Sequence, residues 1–264
     1  MDLDTITSLR PAHSREDLRL APGEAVLAGG TWLFSEHQDH LTGLVDLTTL
    51  GWTPWTGTAS GVEIAATCTI AQLLDLTDGR GARPDLFRRC AEAFLMSSKI
   101  WRTATVGGNV CLALPAGAMI SLLTGLDAEA LIWAPDGGER TEAVADLVTG
   151  VQATTLAPGE VVRSFAVTRE ALTARAAFRR ASLTSLGRSA AVVIARRDGE
   201  GLVVSVTAST ARPHVLRFPG LPTDAELSAA LDPITWFDDP HGAPDWREAV
   251  TRHLAAEVCR EVAG

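Results

Sequence analysis

The stretch Trp101–Val110, WRTATVGGNV, places Gly107, Gly108 and Asn109 directly after a run containing Thr103, Thr105 and Val106. A glycine pair permits tight or left-handed backbone and removes the side chains that keep another group away, so main-chain N–H groups can approach an anion. The plainer reading is a strand-ending turn, because Gly and Asn are ordinary turn residues. A second glycine pair weighs against the plainer one. AGGTWLF, residues 28–34, sets Gly29 and Gly30 beside Thr31 in the same half of the chain. Two such turns facing each other make a clamp for a diphosphate, whose acceptor oxygens are satisfied by preorganised N–H groups and Thr hydroxyls without a large net charge. Neither turn has the GxGxxG spacing of a Rossmann fingerprint.

The composition limits what the clamp can serve. At 264 residues, 46% hydrophobic and 21% charged, the chain is an ordinary globular protein with room for two modest domains. A formal charge of -9 gives no basic field for nucleic acid or an acidic membrane surface. Any phosphate must be held locally. Cys68, Cys90, Cys111 and Cys259 are far apart with no CxxC pair, which argues against a zinc site or a self-contained iron–sulfur cluster and predicts reduced, mostly buried thiols. MDLDTITSLRP at the N-terminus lacks the basic and apolar regions of a secretory signal, so the expected location is the cytoplasm. The apolar region Ala116–Ala134 is broken by Asp127 and Glu129 and reads as a buried helix leading into a strand, not as a membrane span.

Around the two turns the chain alternates strands and helices. Ser14–Asp17 reads as a capping box opening a short helix, and Val26–Ala28 as a strand feeding the first glycine turn. LVDLTTL, from Leu44, and VEIAATCTI, residues 62–70, are further strands, the second by its alternation of Val62, Ile64, Ala66, Cys68 and Ile70 with more polar residues. Asp75–Pro84 is a polar, Gly-rich loop. Phe87, Cys90, Ala91, Phe94 and Leu95 then share one helical face, and that helix delivers the chain into the second glycine turn. The second half, from about residue 170, carries an Arg-, Ala- and Ser-rich segment. An Asp198–Gly201 hairpin follows, and then a final helix with Asp245–Glu248 at its start and Val250, Leu254 and Val258 on its apolar side.

In order and kind these motifs resemble the FAD-binding subunit of the molybdenum hydroxylases, as in the medium subunit of carbon monoxide dehydrogenase and the flavin domain of xanthine dehydrogenase. The family carries an AGGT turn followed by an acid and Leu, an LVDLT-like segment, an IGAxTT-like strand, and a helix ending in NxATIGGN before xxxxPxxD. Here these read AGGTWL, LVDLT, VEIAATCTI, WRTATVGGN and CLALPAGA, with FRRASL opening the C-terminal part. The resemblance implies an α+β fold. It consists of a vanillyl-alcohol-oxidase (PCMH-type) FAD-binding domain in two subdomains, residues 1–170, and a small C-terminal α/β domain with an antiparallel sheet, residues 171–264.

The resemblance also implies site residues. Ala28, Gly29, Gly30, Thr31 and Trp32 match the first pyrophosphate loop; Thr105, Gly107, Gly108, Asn109 and Cys111 match the second. Arg179 or Arg180 matches a basic residue near the flavin. Departures thin the polar contacts around this clamp: Trp32 replaces an acid, Thr103 an Asn, Ala118 an Asp and Leu183 an Arg, and the chain has no Tyr to shield a flavin. The implied activity is that of an FAD-dependent oxidoreductase, with FAD held noncovalently. Its electrons come from iron–sulfur clusters on one partner, after oxidation at a molybdopterin-binding partner, and pass to NAD or another acceptor. A stand-alone flavin dehydrogenase or oxidase acting on a small organic substrate, and a non-catalytic binding protein, are the alternatives. His37 and His40, at HxxH spacing, lack a further ligand cluster and read as a solvated loop, with no metal site. Ser97, Ser98 and Lys99 lack a GxSxG elbow and read as the end of a helix.

Overall fold

The computed structural model describes residues 3–76 and 84–264. Most of the predicted Asp75–Pro84 loop lies outside the described residues. Strand β1 (Ser8–Pro11) is followed by a 3-10 turn at Glu16–Leu18, where Asp17 accepts the N–H groups of His13 and Ser14. β2 (Glu24–Leu27) leads into the first glycine turn, and β3 (Gly43–Asp46) lies between β1 and β2, parallel to both. Arg10 of β1 clasps Glu24 of β2 in a bidentate pair, Nε to Oε1 at 3.0 Å and Nη2 to Oε2 at 2.8 Å.

That pair, with a further bond from the Ala21 N–H, holds the Glu24 carboxyl at about 2, below its ordinary 4.5. A depressed carboxyl contributes stability above its unfolded pKa and loses it as pH falls toward the folded one. Glu24→Gln is therefore expected to melt earlier than the parent at neutral pH. The gap should close between about pH 4.5 and about 2, as melts across that range will show.

β4 (Trp55–Gly57) and β5 (Gly61–Ala65) form a hairpin, and α1 (Ile70–Asp75) follows, opened by a Thr69–Gln72 capping box. VEIAATCTI is thus strand only to Ala65. Its remainder bends so that Thr69 can bridge Thr105 and Ile70 N–H can reach the Ala104 carbonyl. α2 (Pro84–Ala93) buries Leu86, Phe87, Cys90 and Ala91 on one face, and α3 (Ser98–Trp101) is a separate turn capped by Ser97. Ser97 accordingly begins a helix and does not end one. α4 (Val106–Cys111) and α5 (Ala118–Gly125) come next.

Every residue of α5 is buried, as a helix apolar on all sides requires. β6 (Glu129–Trp133) and β7 (Glu139–Ala143) follow, then α6 (Val144–Leu147) and the short pair β8 (Val148–Gly150) and β9 (Ala153–Thr154). The region read as a buried helix leading into a strand is therefore α5 and β6. β10 (Val161–Thr168) enters the centre of an antiparallel sheet ordered β4-β5-β10-β6-β7.

After α7 (Arg169–Thr173), strands β11 (Ala176–Ala181), β12 (Ala191–Asp198), β13 (Gly201–Thr207) and β14 (His214–Phe218) form a second antiparallel sheet in sequence order. β12 and β13 meet at the Asp198–Gly201 turn. α8 (Asp224–Leu231) and α9 (Pro244–Ala263) complete the chain. Ala243, not Asp245, caps α9, and Pro244 takes its first position, where no N–H is needed.

The second sheet has two apolar faces, set by strand alternation. Ala177, Ala191, Val193 and Ala195 pack with Leu254, Val258 and Val262 of α9. Phe178, Val192 and Ile194 join the core that also holds α5, α2 and the first antiparallel sheet. Across this junction Ser121 Oγ and Thr207 Oγ1 lie 2.7 Å apart and buried. Arg196, almost fully buried, donates from Nε to the Gly125 carbonyl at 3.1 Å and from Nη2 to Asp127 at 2.5 Å. Arg217 grips the same carboxylate with both of its Nη groups, at 2.7 and 3.0 Å.

Cys68, Cys90 and Cys259 are buried free thiols, and Cys111 is an exposed one. Burial pushes Cys68 up to about 12 and Cys259 up to about 11, so neither is a thiolate at neutral pH. Among the described residues no helix is long and apolar enough to cross a membrane.

Candidate functional site

The two glycine turns touch. A Cβ built on Gly29 would overlap the Thr103 carbonyl and stand 3.1 Å from the Ala104 Cα, so the first turn sits directly on the segment that leads into α4. Only a residue without a side chain allows that approach. Gly30 is needed for its backbone: φ is +67°, and a Cβ there would meet the Phe34 ring at 2.7 Å. The turn is closed by Phe34 N–H donating to the Gly30 carbonyl at 2.9 Å and by Ser35 N–H donating to the Trp32 carbonyl at 2.8 Å.

These bonds use the far end of the turn and leave its near end open. Among the described residues, the N–H groups of Gly29, Gly30, Thr31, Trp32 and Leu33 have no acceptor. Five consecutive half-buried donors without partners are groups that an anion can satisfy.

The second turn is built differently from the first. GGN is not a loop but the first turn of α4, capped by Thr105, whose Oγ1 accepts the Gly108 N–H at 3.0 Å. Its other donors are also in use: Val106 N–H to the Cys68 carbonyl, Gly107 N–H to the Ala66 carbonyl, and Asn109 N–H to the Thr105 carbonyl. Gly107 lets α4 pack closely on the bend that follows β5, since a Cβ there would lie 2.5 Å from the Ala66 Cβ. Gly108 is exposed, and a Cβ there would meet only Thr105 Oγ1, at 2.8 Å. Asn109 Oδ1 accepts the Met119 N–H at 2.9 Å at the start of α5, where the capping residue is Gly117 and has no side chain to offer.

The first turn thus supplies free donors, and the second supplies a rigid floor with open space over Gly108. Ala28, half-buried, carries the chain from β2 into the donor run, and the exposed Cys111 ends α4. The indole N–H of Trp101, in α3, is buried with no partner among the described residues. An unpaired N–H turn and a floor kept bare of side chains fit a dinucleotide diphosphate.

Arg179 and Arg180 part company, as neighbours on a strand must. Arg179 faces α9, paired with Glu257 at 3.0 Å and Glu261 at 2.7 Å. Arg180 is on the opposite face, which packs toward the first half of the chain. Its Nε donates to Ser189 Oγ at 2.7 Å and its Nη2 to the Gly187 carbonyl, and burial lowers its pKa. Arg179 is therefore committed to α9, and Arg180 to Ser189 and Gly187 on the other face of the sheet. His37 and His40 are exposed, and among the described residues no group of His, Cys, Asp and Glu is arranged to hold a metal.

Sequence reasoning did not anticipate Asn109 as the tie between α4 and α5, nor the triad of Asp127, Arg196 and Arg217. The first had a signal, an Asn ahead of a helix whose own cap is glycine. The second had none, because its three members are distant in sequence.

Residues 5–168 match the family model described as the FAD binding domain in molybdopterin dehydrogenase. Among solved structures, carbon monoxide dehydrogenase from Oligotropha carboxidovorans superposes with a TM-score of 0.83 at 19% identity over 99% of both chains. Quinoline 2-oxidoreductase from Pseudomonas putida 86 gives 0.80 at 17% identity over 100% of both. Carbon monoxide dehydrogenase from Hydrogenophaga pseudoflava, lacking the Mo-pyranopterin moiety of its molybdenum cofactor, gives 0.82 at 18% identity over 98% of this chain and 97% of that one. No curated protein matches the sequence.

Proposed function

The chain belongs to the FAD-binding domains of molybdopterin dehydrogenases, a family of FAD-dependent oxidoreductases, and from that premise we propose that it is the flavoprotein subunit of a molybdenum hydroxylase complex. In this reading it stands between iron–sulfur clusters on one partner, themselves supplied from a molybdopterin-binding partner, and NAD or another acceptor. The observation that carries the reading is the run of unpaired N–H groups from Gly29 to Leu33 set against Thr103 and Ala104.

Residues 1–170 form the PCMH-type binding domain, in two subdomains, and residues 171–264 the C-terminal domain. Ala28, Gly29, Gly30, Thr31 and Trp32 hold the diphosphate through the main chain. Thr105, Gly107, Gly108, Asn109 and Cys111 form the floor beneath it, and Arg180, free of the α9 carboxylates that hold Arg179, is the basic residue assigned to the flavin. Bound there, FAD supplies one- and two-electron exchange that no amino-acid side chain provides. The protein's own part is to neutralise phosphate charge with backbone dipoles, which need no compensating cations in a chain of net charge -9.

FAD is held noncovalently, so acid precipitation should leave the yellow colour in the supernatant. Anaerobic mixing of the purified, flavin-loaded protein with candidate reductants tests the role. NADH and dithionite are expected to bleach the flavin absorbance, and small organic substrates are not. Rapid bleaching by an organic substrate with this chain alone would replace the relay reading with that of a stand-alone dehydrogenase.

A further inference from the structure

A cleft of about 540 Å³ lies where three segments meet: Thr149 of β8, Arg212 and His214 at the start of β14, and Trp236, Phe237 and Asp238 between α8 and α9. Its volume is within the usual range for small-molecule sites. None of these residues belongs to the glycine clamp.

The walls are aromatic and fixed from behind. Phe237 N–H donates to the Ser209 carbonyl at 2.9 Å, and the Phe237 ring lies 5.6 Å from the Arg247 guanidinium carbon. Arg247 is itself almost wholly buried. It is anchored to the carbonyls of Gly242 at 2.9 Å and Ala190 at 3.0 Å, to the Ala208 carbonyl, and to Asp239. Trp236 is half-buried against the core between α9 and the second sheet. Both aromatic residues therefore line the cleft from preset positions.

The polar groups of the cleft are uncommitted and of both signs. Among the described residues the Arg212 guanidinium and the Asp238 carboxylate have no hydrogen-bond or ion-pair partner, and they do not pair with each other across the cleft. A cation and an anion that line one cleft without meeting suit a ligand that is an acceptor at one end and a donor at the other. His214 is half-buried, and burial together with Arg212 lowers its pKa, so its imidazole is neutral at neutral pH and can either donate or accept.

We propose that this cleft binds a planar aromatic acid, its carboxylate on Arg212, its ring against Trp236 and Phe237, and a hydrogen-bond donor on its far edge directed to Asp238. A bidentate guanidinium–carboxylate pair with stacking is the recognition these groups provide. The proposal concerns residues outside the glycine clamp and stands whether or not the relay reading does.

The test is calorimetric titration of the flavin-loaded protein with 4-hydroxybenzoate, with benzoate as the ligand lacking the far donor and acetate as the one lacking the ring. 4-Hydroxybenzoate should bind, benzoate more weakly and acetate not at all. Arg212→Gln and Trp236→Leu should each weaken binding at least about tenfold, about 1.4 kcal/mol. Asp238→Asn should erase the preference for 4-hydroxybenzoate over benzoate. Arg212 and Asp238 are exposed and unpaired, so their replacement leaves no buried group without a partner. Absence of binding at millimolar ligand, or binding unchanged in Arg212→Gln, overturns the proposal. So does binding seen in flavin-stripped protein and lost on loading with FAD, which would make the cleft part of the cofactor's own site.

Discussion

Gly29→Ala is expected to purify with little or no flavin, its visible absorbance per mole of protein falling by at least about tenfold. The added methyl group would occupy the position of the Thr103 carbonyl, and neither backbone can yield without separating the first turn from the α4 floor. Overpacking of this kind costs about 1–3 kcal/mol, and each 1.4 kcal/mol is about tenfold in affinity. Relief of the overlap has to move the Gly29–Leu33 segment off Thr103, and with it the free N–H groups. Gly220→Ala, where a Cβ would meet nothing within 4 Å, is the matched control and should keep its full flavin content. Gly108→Val provides a second arm: a Cβ there meets only Thr105 Oγ1, at 2.8 Å, and no backbone atom, so it should fold and still lose flavin. Gly30 is unsuited to this purpose. A Val there must adopt φ +67° beside the Phe34 ring, so the turn itself is deformed. Flavin content unchanged in both Gly29→Ala and Gly108→Val would exclude the clamp.

Asp127→Ala should lower stability by about 3–5 kcal/mol, the usual cost of leaving a buried charge without its partner. The charge left behind is Arg196, whose side chain is 4% exposed and whose remaining bonds are to the carbonyls of Gly125 and Arg197 and to Asp198 at 3.8 Å. For a chain of this length the loss corresponds to a fall in melting temperature on the order of 10 °C. Arg217→Ala removes only the exposed arm of the same triad and should cost roughly 1 kcal/mol or less. Equal melting temperatures for the two variants would show that the buried arm carries no special weight.

Local signals were legible in the sequence where one residue's chemistry decides the outcome. The hairpin at Asp198–Gly201, the apolar face of α2, the buried helix before β6 and the two glycine pairs follow from turn chemistry and hydrophobic period. Boundaries set by distant partners were not legible. VEIAATCTI alternates to Ile70, yet the strand stops at Ala65 because Cys68 and Thr69 are drawn toward Thr105 and Val106. At the candidate site the glycines were visible, but not the division between them. Nothing in GGT or GGN says that one turn keeps its N–H groups free while the other commits them to Ala66, Cys68 and Thr105. The choice between Arg179 and Arg180 likewise rests on strand facing, which becomes fixed only once Glu257 and Glu261 of α9 are in place.

α5 is enclosed by both parts of the molecule, with α2 and α4 beside it and β12 and β13 of the second sheet against it. The end of the family match at residue 168 is therefore not a line along which the protein can be dissected. A fragment ending there would turn Met119, Ile120, Leu122 and Leu123 partly outward, and a fragment beginning there would expose Val192 and Ile194. Each piece would carry a sticky apolar surface and a half-finished polar network at Asp127. Grafting the flavin module into another protein therefore means carrying the second sheet along with it, as a lining the first cannot do without.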